Sequence, residues 1–450
     1  MRATGRALAG TMALLAGSLV GLQVPLQLVL AAQAPRPRAG VIRAESPVAS
    51  GAGLRGSRGV LGTTVKFARQ ARLSGTGATA GRDFGAAVAL SADGDTALIA
   101  SNKATGVFVR SGTTWAKQGP GLESAHDTAV ALSADGDTAL IGDSNYGEGD
   151  YGPSGEALFY ARSGSTWSEE GSPIAPGDGQ EFGAAVALSA RGNTALVGEP
   201  EYLNDGGEFG GSGDAWVLAR SGSVWAVQGE RIVGCDCLAL VPGSSNEIGA
   251  AVALSSAGNT ALIGAPFMGD LGVGGAVVGE ADVEHRSGLG TPWKGLWLSP
   301  DHAAVDPSWS GGDQPDLGSS VALSADGNTA LVGGDTDSGG NGAAWIFTRS
   351  AGTWDARGTK LTVPRTRSFG MSVALSADGN TALAGGVNGA GEDEAWVFVR
   401  AGTTWTQQVT QLVAGKAGAD PVAVALSADG STALVGNSGT VTVFTALGRA

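Results

Sequence analysis

A twelve-residue stretch that returns along the chain constrains this protein more than any other feature. VALSADGDTALI occupies residues 88–99, and related copies begin at Val130, Val186, Val252, Val321, Val373 and Val424. Each copy holds two short apolar segments around a turn, and glycine has the same place in all seven turns. This pattern predicts a β-hairpin with a positive-φ residue. Seven such hairpins, always separated by variable sequence, predict a closed radial repeat.

The sequence between the hairpins supplies a third and a fourth strand to each repeat. The fourth strand opens on a tryptophan in six copies: Trp115, Trp167, Trp225, Trp293, Trp354 and Trp405. The seventh copy stops after its third strand, near Thr445, whereas residues 62–73 resemble a fourth strand with Val65 in the tryptophan position. We therefore predict an all-β fold, a seven-bladed β-propeller of four-stranded antiparallel blades. The N-terminal strand completes the last blade and closes the ring.

The composition of the strands predicts their order within a blade. The first strand is short and made of small apolar residues, which suits the crowded position next to the axis. The tryptophan strand is then outermost, and we interpret its indoles as packing anchors against the neighbouring blade.

The N-terminal region differs in kind from the repeats. Arg2 and Arg6 precede a mostly apolar run over residues 7–30, and small residues follow it, which is typical of a secretory signal peptide over residues 1–34. Residues 35–62 are rich in Pro, Arg, Ala, Gly and Ser, and this composition indicates a flexible linker. The propeller then occupies residues 63–450. We expect a secreted, extracellular or cell-envelope protein; a retained membrane anchor is the alternative.

Charge is distributed unevenly along the chain. Residues 1–72 hold ten basic side chains and one acid, Glu45. Removing these from the totals of 28 and 42 leaves 18 basic and 41 acidic side chains, a balance of −23. Such an acidic domain repels nucleic acid and anionic lipid, so we expect neither as a partner and no membrane insertion after signal cleavage. It favours cations or basic partners, although solubility alone also explains the charge.

The chain has two cysteines, Cys235 and Cys237, on either side of Asp236. In extended backbone their side chains point to one face, at a separation near the upper limit for a disulfide. A loop disulfide and two incidental thiols both remain open. The three histidines show no metal-site spacing with these cysteines: His126, His285 and His302.

Two short motifs accompany the hairpins. A Phe-Gly pair or its apolar equivalent precedes five of them, as Phe84-Gly85, Phe182-Gly183, Ile248-Gly249, Leu317-Gly318 and Phe369-Gly370. A Gly-Ala-Pro element is complete at residues 264–266 and partial at residues 198–200. Over about residues 63–446 the chain resembles the FG-GAP repeat family, the bacterial relatives of the integrin α-chain β-propeller. The resemblance implies a propeller, whereas propellers host many activities.

Members of that family often bind calcium in the turn between the first and second strands. Calcium takes six to eight oxygen ligands. Here the turn is four residues long and offers at most two oxygen-bearing side chains, such as Asp93 and Asp95, or Asp378 and Asn380. We therefore expect no cofactor and no metal at these turns. We interpret the acids as turn residues that hydrogen-bond their own backbone.

Length variation is confined to one side of the predicted ring. In an up-and-down blade, the turns between strands 1 and 2 and between strands 3 and 4 (the 1–2 and 3–4 turns) lie on one face. The connections between strands 2 and 3, and from strand 4 to strand 1 of the next blade, lie on the other face. The first pair is short in nearly every copy, and the second pair varies widely. Variable loops on a rigid scaffold are where binding usually occurs. We predict ligand-binding residues on that face, namely Asp143, Asp150, Tyr151, Glu201, Tyr202, Asp205, Asp270, Asp335 and Asp337.

Four further acids recur five residues before the valine of a repeat: Asp83, Glu181, Glu247 and Asp316. This spacing places them near the axis on the same face. They predict either a metal-holding ring or the fixing of backbone N–H groups in the blade-to-blade loop.

No enzyme signature occurs in the sequence. Gly-x-Ser-x-Gly, His-Glu-x-x-His and a phosphate-binding loop are all absent. We predict a non-catalytic, monomeric binding or adhesion module, with a protein or glycan partner that is preferably basic. Two alternatives remain: a secreted hydrolase or lyase that uses carboxylates on the face with the variable connections, and a structural envelope protein.

Overall fold

The computed structural model describes most of the repeat region of the chain. The described residues are 65–81, 83–123, 128–144, 155–176, 181–200, 213–229, 231–233, 247–266, 279–287, 293–298, 316–355, 358–418 and 422–447. Everything below refers to these residues.

The chain forms seven four-stranded antiparallel blades arranged as a β-propeller, as predicted. Blade 1 consists of β2 Val88–Leu90, β3 Thr96–Ile99, β4 Ala104–Ser111 and β5 Thr114–Lys117, and blade 2 of β7 Thr128–Leu132, β8 Thr138–Asp143, β9 Glu156–Ser163 and β10 Thr166–Glu169. Blade 3 consists of β11 Ala185–Leu188, β12 Thr194–Glu199, β13 Asp214–Ser221 and β14 Val224–Val227, and blade 4 of β16 Ala251–Leu254, β17 Thr260–Ala265, β18 Glu280–His285 and β19 Lys294–Leu298. Blade 5 consists of β20 Ser320–Leu323, β21 Thr329–Gly334, β22 Ala343–Ser350 and β23 Thr353–Trp354, and blade 6 of β25 Thr366–Leu375, β26 Thr381–Asn388, β27 Glu392–Ala401 and β28 Thr404–Lys416. Blade 7 consists of β29 Val424–Leu426, β30 Thr432–Asn437, β31 Thr440–Leu447 and β1 Lys66–Leu73.

The N-terminal strand completes blade 7, which confirms the predicted closure. β1 pairs antiparallel with β31, from Lys66 opposite Leu447 to Leu73 opposite Val441. Phe67 is buried between blades 6 and 7. The first and last described strands of the chain are therefore neighbours in one sheet.

Most of the hydrophobic core forms seven layers, one between each pair of neighbouring blades. The layer between blades 7 and 1, for example, joins Val441 and Val443 to Val88 and Leu90. Each sheet is covered on both faces, so its strands are apolar on both faces. This packing explains why the first two strands of each repeat lack the alternating pattern of a half-exposed sheet.

The first strands surround the axis, as their composition predicts. Leucines from neighbouring first strands line the axial space, among them Leu132, Leu188 and Leu254. At the end of these strands, one small residue per blade donates its backbone N–H to the equivalent carbonyl of the next blade. Seven bonds of 2.8–3.2 Å close a circle through Ala92, Ala134, Ala190, Ser256, Ala325, Ala377 and Ala428.

The turn glycines have the predicted positive φ angles, between 59° and 73°. They also lie against the preceding blade, which the hairpin pattern alone did not predict. A Cβ on Gly136 would lie 3.0 Å from the side chain of Thr96, and a Cβ on Gly192 would lie 2.7 Å from Thr138. Glycine is thus required by both the turn and the seam.

Five of the six tryptophans of the repeat lie in the outer strands, and all six pack in the layers between blades. Trp225 stacks on Phe159 of the preceding blade, with ring centroids 4.0 Å apart. Arg110, at the end of β4, lies over Trp115. Trp293 differs slightly from the prediction, because it precedes β19 and lies outside that strand.

Some elements were not predicted from the repeat. Three short strands extend blades 1, 3 and 5 by pairing with the third strand: β6 Leu122–Glu123, β15 Ile232–Val233 and β24 Thr359–Leu361. A 3-10 turn covers Gly77–Thr79, and a single turn, α1, covers Asp337–Gly340. Over the described ranges, no helix has the length and apolarity to cross a bilayer.

Candidate ligand-binding face

The strand ladders define two faces of the ring. The plain face carries the 1–2 turns, which include residues 91–95 and 133–137, and most of the two-residue 3–4 turns. The variable face carries the 2–3 connections and the blade-to-blade connections. The 2–3 connections range from residues 438–439 in blade 7 to residues 200–213 in blade 3. This asymmetry agrees with the prediction from loop lengths.

On the plain face, the aspartates act as turn residues, as interpreted from the sequence. The Asp93 carboxylate accepts a 2.5 Å hydrogen bond from the Ser91 hydroxyl and a 2.9 Å bond from the backbone N–H of Asp95. Asp95 itself pairs with Arg110 at 2.5 Å. Equivalent bonds recur at Asp135, Asp326, Asp378 and Asp429.

On the variable face, blade 2 brings two carboxylates together. Asp143 ends β8, Glu156 begins β9, and the register places them directly opposite each other. Both side chains are buried, with exposed fractions of 1% and 7%. Burial and then the negative charges of Asp143 and Glu169 raise the pKa of Glu156 to about 7. Glu156 therefore titrates near neutral pH.

Blade 3 repeats this pair with a cation added. Glu199 lies opposite Asp214 in the ladder. Arg231 pairs with Asp214 at 2.9 Å, and the indole N–H of Trp216 donates a 2.6 Å bond to Glu199. In blade 2 the position equivalent to Arg231 is Pro173, since Ile174 and Ile232 have the same ladder partner. The carboxylates of blade 2 thus lack this guanidinium.

Blade 5 holds the two acids predicted at its 2–3 connection. Asp337 is 2% exposed, pairs with Lys360 at 2.8 Å and accepts a bond from the Ser338 hydroxyl. Burial raises the pKa of Asp335, against the effect of a hydrogen bond from Ser319. Asp337 therefore points into the protein, where it fixes the connection.

Blade 6 contributes acids next to blade 7. Glu394 is fully buried and accepts a 2.7 Å bond from the Asn388 amide. Burial is the main cause that raises the pKa of Glu394. Asp393 accepts a 2.6 Å bond from Asn437 of blade 7.

Three of the nine predicted ligand-binding residues are described, namely Asp143, Asp335 and Asp337. They lie on the variable face, in two different blades. The other six lie outside the described residues: Asp150, Tyr151, Glu201, Tyr202, Asp205 and Asp270. The cysteines Cys235 and Cys237 lie outside them too.

The prediction omitted Glu156, Asp214 and Glu394. Each of these acids begins or nearly begins a third strand and directly precedes an alanine. That alanine lies opposite the last small residue of the second strand, as Ala157 does opposite Gly142. Aligning the third strands on this alanine would have identified the acids.

The recurring acids before the repeats take part in the blade-to-blade turn. The carbonyls of Asp83, Glu181, Glu247 and Asp316 each accept a bond from the N–H three residues later. Glu181, Glu247 and Asp316 adopt φ angles of 64°, 51° and 45°, which non-glycine residues rarely adopt. Within the described residues, no group of three acid, histidine or cysteine side chains is arranged to hold a metal ion.

Neither the comparison with models of protein families nor the comparison with curated proteins finds a match to this chain. The β-propeller architecture therefore rests on the structure itself.

Proposed function

We propose that this protein is a secreted, non-catalytic binding or adhesion module of the FG-GAP type, which captures a basic protein or a glycan on its variable face. The observation that carries this proposal is the contrast between the two faces. The plain face is closed by a circle of seven backbone hydrogen bonds and uniform turns. The variable face carries the longest connections and a series of carboxylates at their bases.

Further observations support the proposal. The Phe-Gly and Gly-Ala-Pro motifs support membership of the FG-GAP family, and the apolar segment of residues 7–30 supports secretion. The balance of −23 over residues 73–450 favours basic groups on a partner. The closed ring supports a monomer, because each blade is covered by its neighbours.

The test compares two charge-neutralising variants of the full chain on arrays of glycans and of basic peptides. One variant combines Asp150→Asn, Glu201→Gln, Asp205→Asn and Asp270→Asn, which the sequence predicts for the variable face. The matched control combines Asp93→Asn, Asp135→Asn, Asp378→Asn and Asp429→Asn on the plain face, where asparagine keeps the acceptor of the turn. We expect the first variant to lose binding at least tenfold and the control to keep it. Equal binding by both variants would refute the proposal.

One observation favours a second candidate function, a hydrolase or lyase. Glu156 has a pKa of about 7 and faces Asp143, which is the arrangement of a proton donor beside a carboxylate. The test is turnover on panels of polysaccharides and esters. Turnover that Glu156→Gln removes, without loss of the folded state, would favour the enzyme over the binding module.

A further inference from the structure

The third strand of blade 4 departs from the other six at its inter-blade positions. Each third strand presents to the preceding blade a large apolar side chain, opposite an alanine of the second strand: Phe108, Tyr160, Leu218, Phe347, Phe398 and Phe444. In blade 4 this position is Glu284, opposite Ala261. The position two residues earlier, tryptophan in blades 3, 5 and 6, is Asp282.

Both carboxyl groups are buried between blades 3 and 4. Asp282 is 6% exposed and Glu284 is 9% exposed. Oε1 of Glu284 and Oδ1 of Asp282 both lie within 2.8 Å of the point where a Cβ on Gly295 would stand, so the two carboxyl groups are neighbours. Two carboxylates have no donor between them, so a hydrogen bond within the pair requires one shared proton. The Oε2 atom of Glu284 is buried and accepts no hydrogen bond from any described residue.

The outer strand of blade 4 leaves room for this pair. Gly295 lies opposite Glu284 in the ladder. A Cβ at Gly295 would lie 2.3 Å from Oε1 of Glu284 and 2.8 Å from Oδ1 of Asp282. The equivalent residues in blades 1, 2 and 6 are Lys117, Glu169 and Gln407. The glycine is therefore specific to the blade that carries the two acids.

The arginine on the same face of β18 is held by other groups. Arg286, the cation on the same face of β18, donates to Gln228 and to the carbonyl of Gly258 and lies over Trp293. It forms no ion pair with Glu284 among the described contacts. The other charged group on this face of the strand is Glu280, which is itself acidic.

Blade 3 faces the pair with apolar side chains. Ala215, Val217 and Ile232 belong to the layer between blades 3 and 4, and Gln228 is neutral. Burial raises the pKa of Glu284, and the bond with Asp282 offsets part of this rise. Complete ionisation of the pair would place two adjacent charges in an apolar layer.

We propose that the Asp282–Glu284 pair is a proton-dependent lock between blades 3 and 4. With one shared proton the pair is a compact hydrogen-bonded unit and the two blades pack together. When that proton is lost, the two carboxylates repel each other and this layer opens more readily than the other six.

The direction of the pH effect follows from the raised pKa. The folded protein holds the proton at pH values where the unfolded chain has released it. Stability from this pair is therefore greatest below the ordinary pKa of 4.5 and declines as pH rises above it, up to the folded pKa. As pH rises from the ordinary pKa to the folded pKa, the ratio of folded to unfolded protein falls about tenfold for each unit between the two pKa values.

The test is the melting temperature of the full chain between pH 4.5 and 8 for wild type, Glu284→Leu and Glu284→Gln. Leucine is the residue that blade 3 has at this position, and glutamine keeps the shape and can donate to Asp282. Glu280→Gln is the matched control on the same face of β18. From pH 4.5 to 8, we expect the melting temperature of each Glu284 variant to rise by several degrees relative to that of wild type. The control should show no such trend.

Two outcomes would overturn the proposal. One is a difference between Glu284→Gln and wild type that stays constant over this pH range. The other is a wild-type protein that calcium stabilises at pH 8 when Glu284→Gln does not respond, because the pair would then hold a metal ion. Should Glu284→Leu fail to fold, hydrogen exchange in wild type decides instead. Protection corrected for intrinsic rates should fall with pH in β18 and stay constant in β27.

Discussion

At the scale of single residues, glycine pairs control how closely the blades approach. The last small residue of the second strand lies against the carbonyl of the Phe-Gly glycine in the next blade. A Cβ on Gly198 would lie 2.0 Å from the carbonyl oxygen of Gly249, and a Cβ on Gly264 would lie 2.0 Å from that of Gly318. Blade 1 has Ala100 at this position, and the hairpin that follows it lacks the Phe-Gly pair. The glycine of the Gly-Ala-Pro element in one blade and the glycine of the Phe-Gly pair in the next blade thus form a single contact.

Gly198→Ala tests this contact. The added methyl would overlap backbone, which cannot move without shifting a blade, so we expect a loss of about 3 kcal/mol or more in the free energy of unfolding. Gly164→Ala is the control, because that glycine has a φ of 64° but nothing within 4 Å of the added Cβ. We expect the control to cost about 1–2 kcal/mol. Denaturant titration measures both, and equal losses would show that the seam contact contributes nothing.

The titration of Glu156 gives a prediction on pH. Its folded pKa of about 7 lies above the ordinary 4.5, so its contribution to stability declines as pH rises from about 4.5 to 7. Glu156→Gln removes the titrating group. We expect the variant to become more stable relative to wild type over that range and the gain to level off above pH 7. Thermal melts in a pH series measure this, and a difference without pH dependence would contradict the raised pKa.

At the scale of elements, β1 behaves as a fourth strand taken from the opposite end of the chain. The backbone N–H of Val65 donates to Gln408 of blade 6 at 2.9 Å, and Gln70 accepts a 3.1 Å bond from the indole of Trp115 in blade 1. The strand therefore contacts both neighbouring blades. Its match to residues 402–412 made it predictable, because both strands meet the same environment. The two-residue strands β6 and β15 have no pattern of their own and depend on the third strand beside them.

Phe67→Ala tests the contribution of β1. Phe67 is 6% exposed and packs in the layer between blades 6 and 7. Its truncation leaves a cavity, and we expect a loss of about 3–5 kcal/mol in the free energy of unfolding. Arg69→Ala, at an exposed position of the same strand, should change it by less than about 0.5 kcal/mol. If both variants had similar stability, the strand would not be part of the folded ring.

At the scale of the whole molecule, the ring has no first or last blade. The backbone N–H of Ala428 in blade 7 donates to the carbonyl of Ala92 in blade 1, as the equivalent residues of the other neighbouring blades do. Lys66 lies opposite Leu447 in the ladder, at the place where other blades have their 3–4 turn. Chain order along blade 7 is thus separable from its packing.

A circular permutant tests this equivalence. The chain begins at Ser74, and Leu447 continues through a Gly-Ser turn into Lys66–Leu73. We expect its melting temperature to lie within a few degrees of wild type, because every strand keeps its neighbours. Deletion of Lys66–Leu73 without the transfer should instead abolish the cooperative transition, since blade 7 then exposes an apolar edge. A permutant as unstable as the deletion would show that the closure depends on chain order.

The sequence by itself determined the number of blades, the four main strands in each, the positive-φ turns and the strand that closes the ring. These features repeat with the period of the chain, and each follows from local patterns that seven copies reinforce. Only the tertiary structure decided which acids lie together, such as Asp143 with Glu156. It also decided where Asp282 and Glu284 are buried. These relations depend on ladder register and on the neighbouring blade, and a residue's own repeat carries no information about the surface that the next blade presents to it.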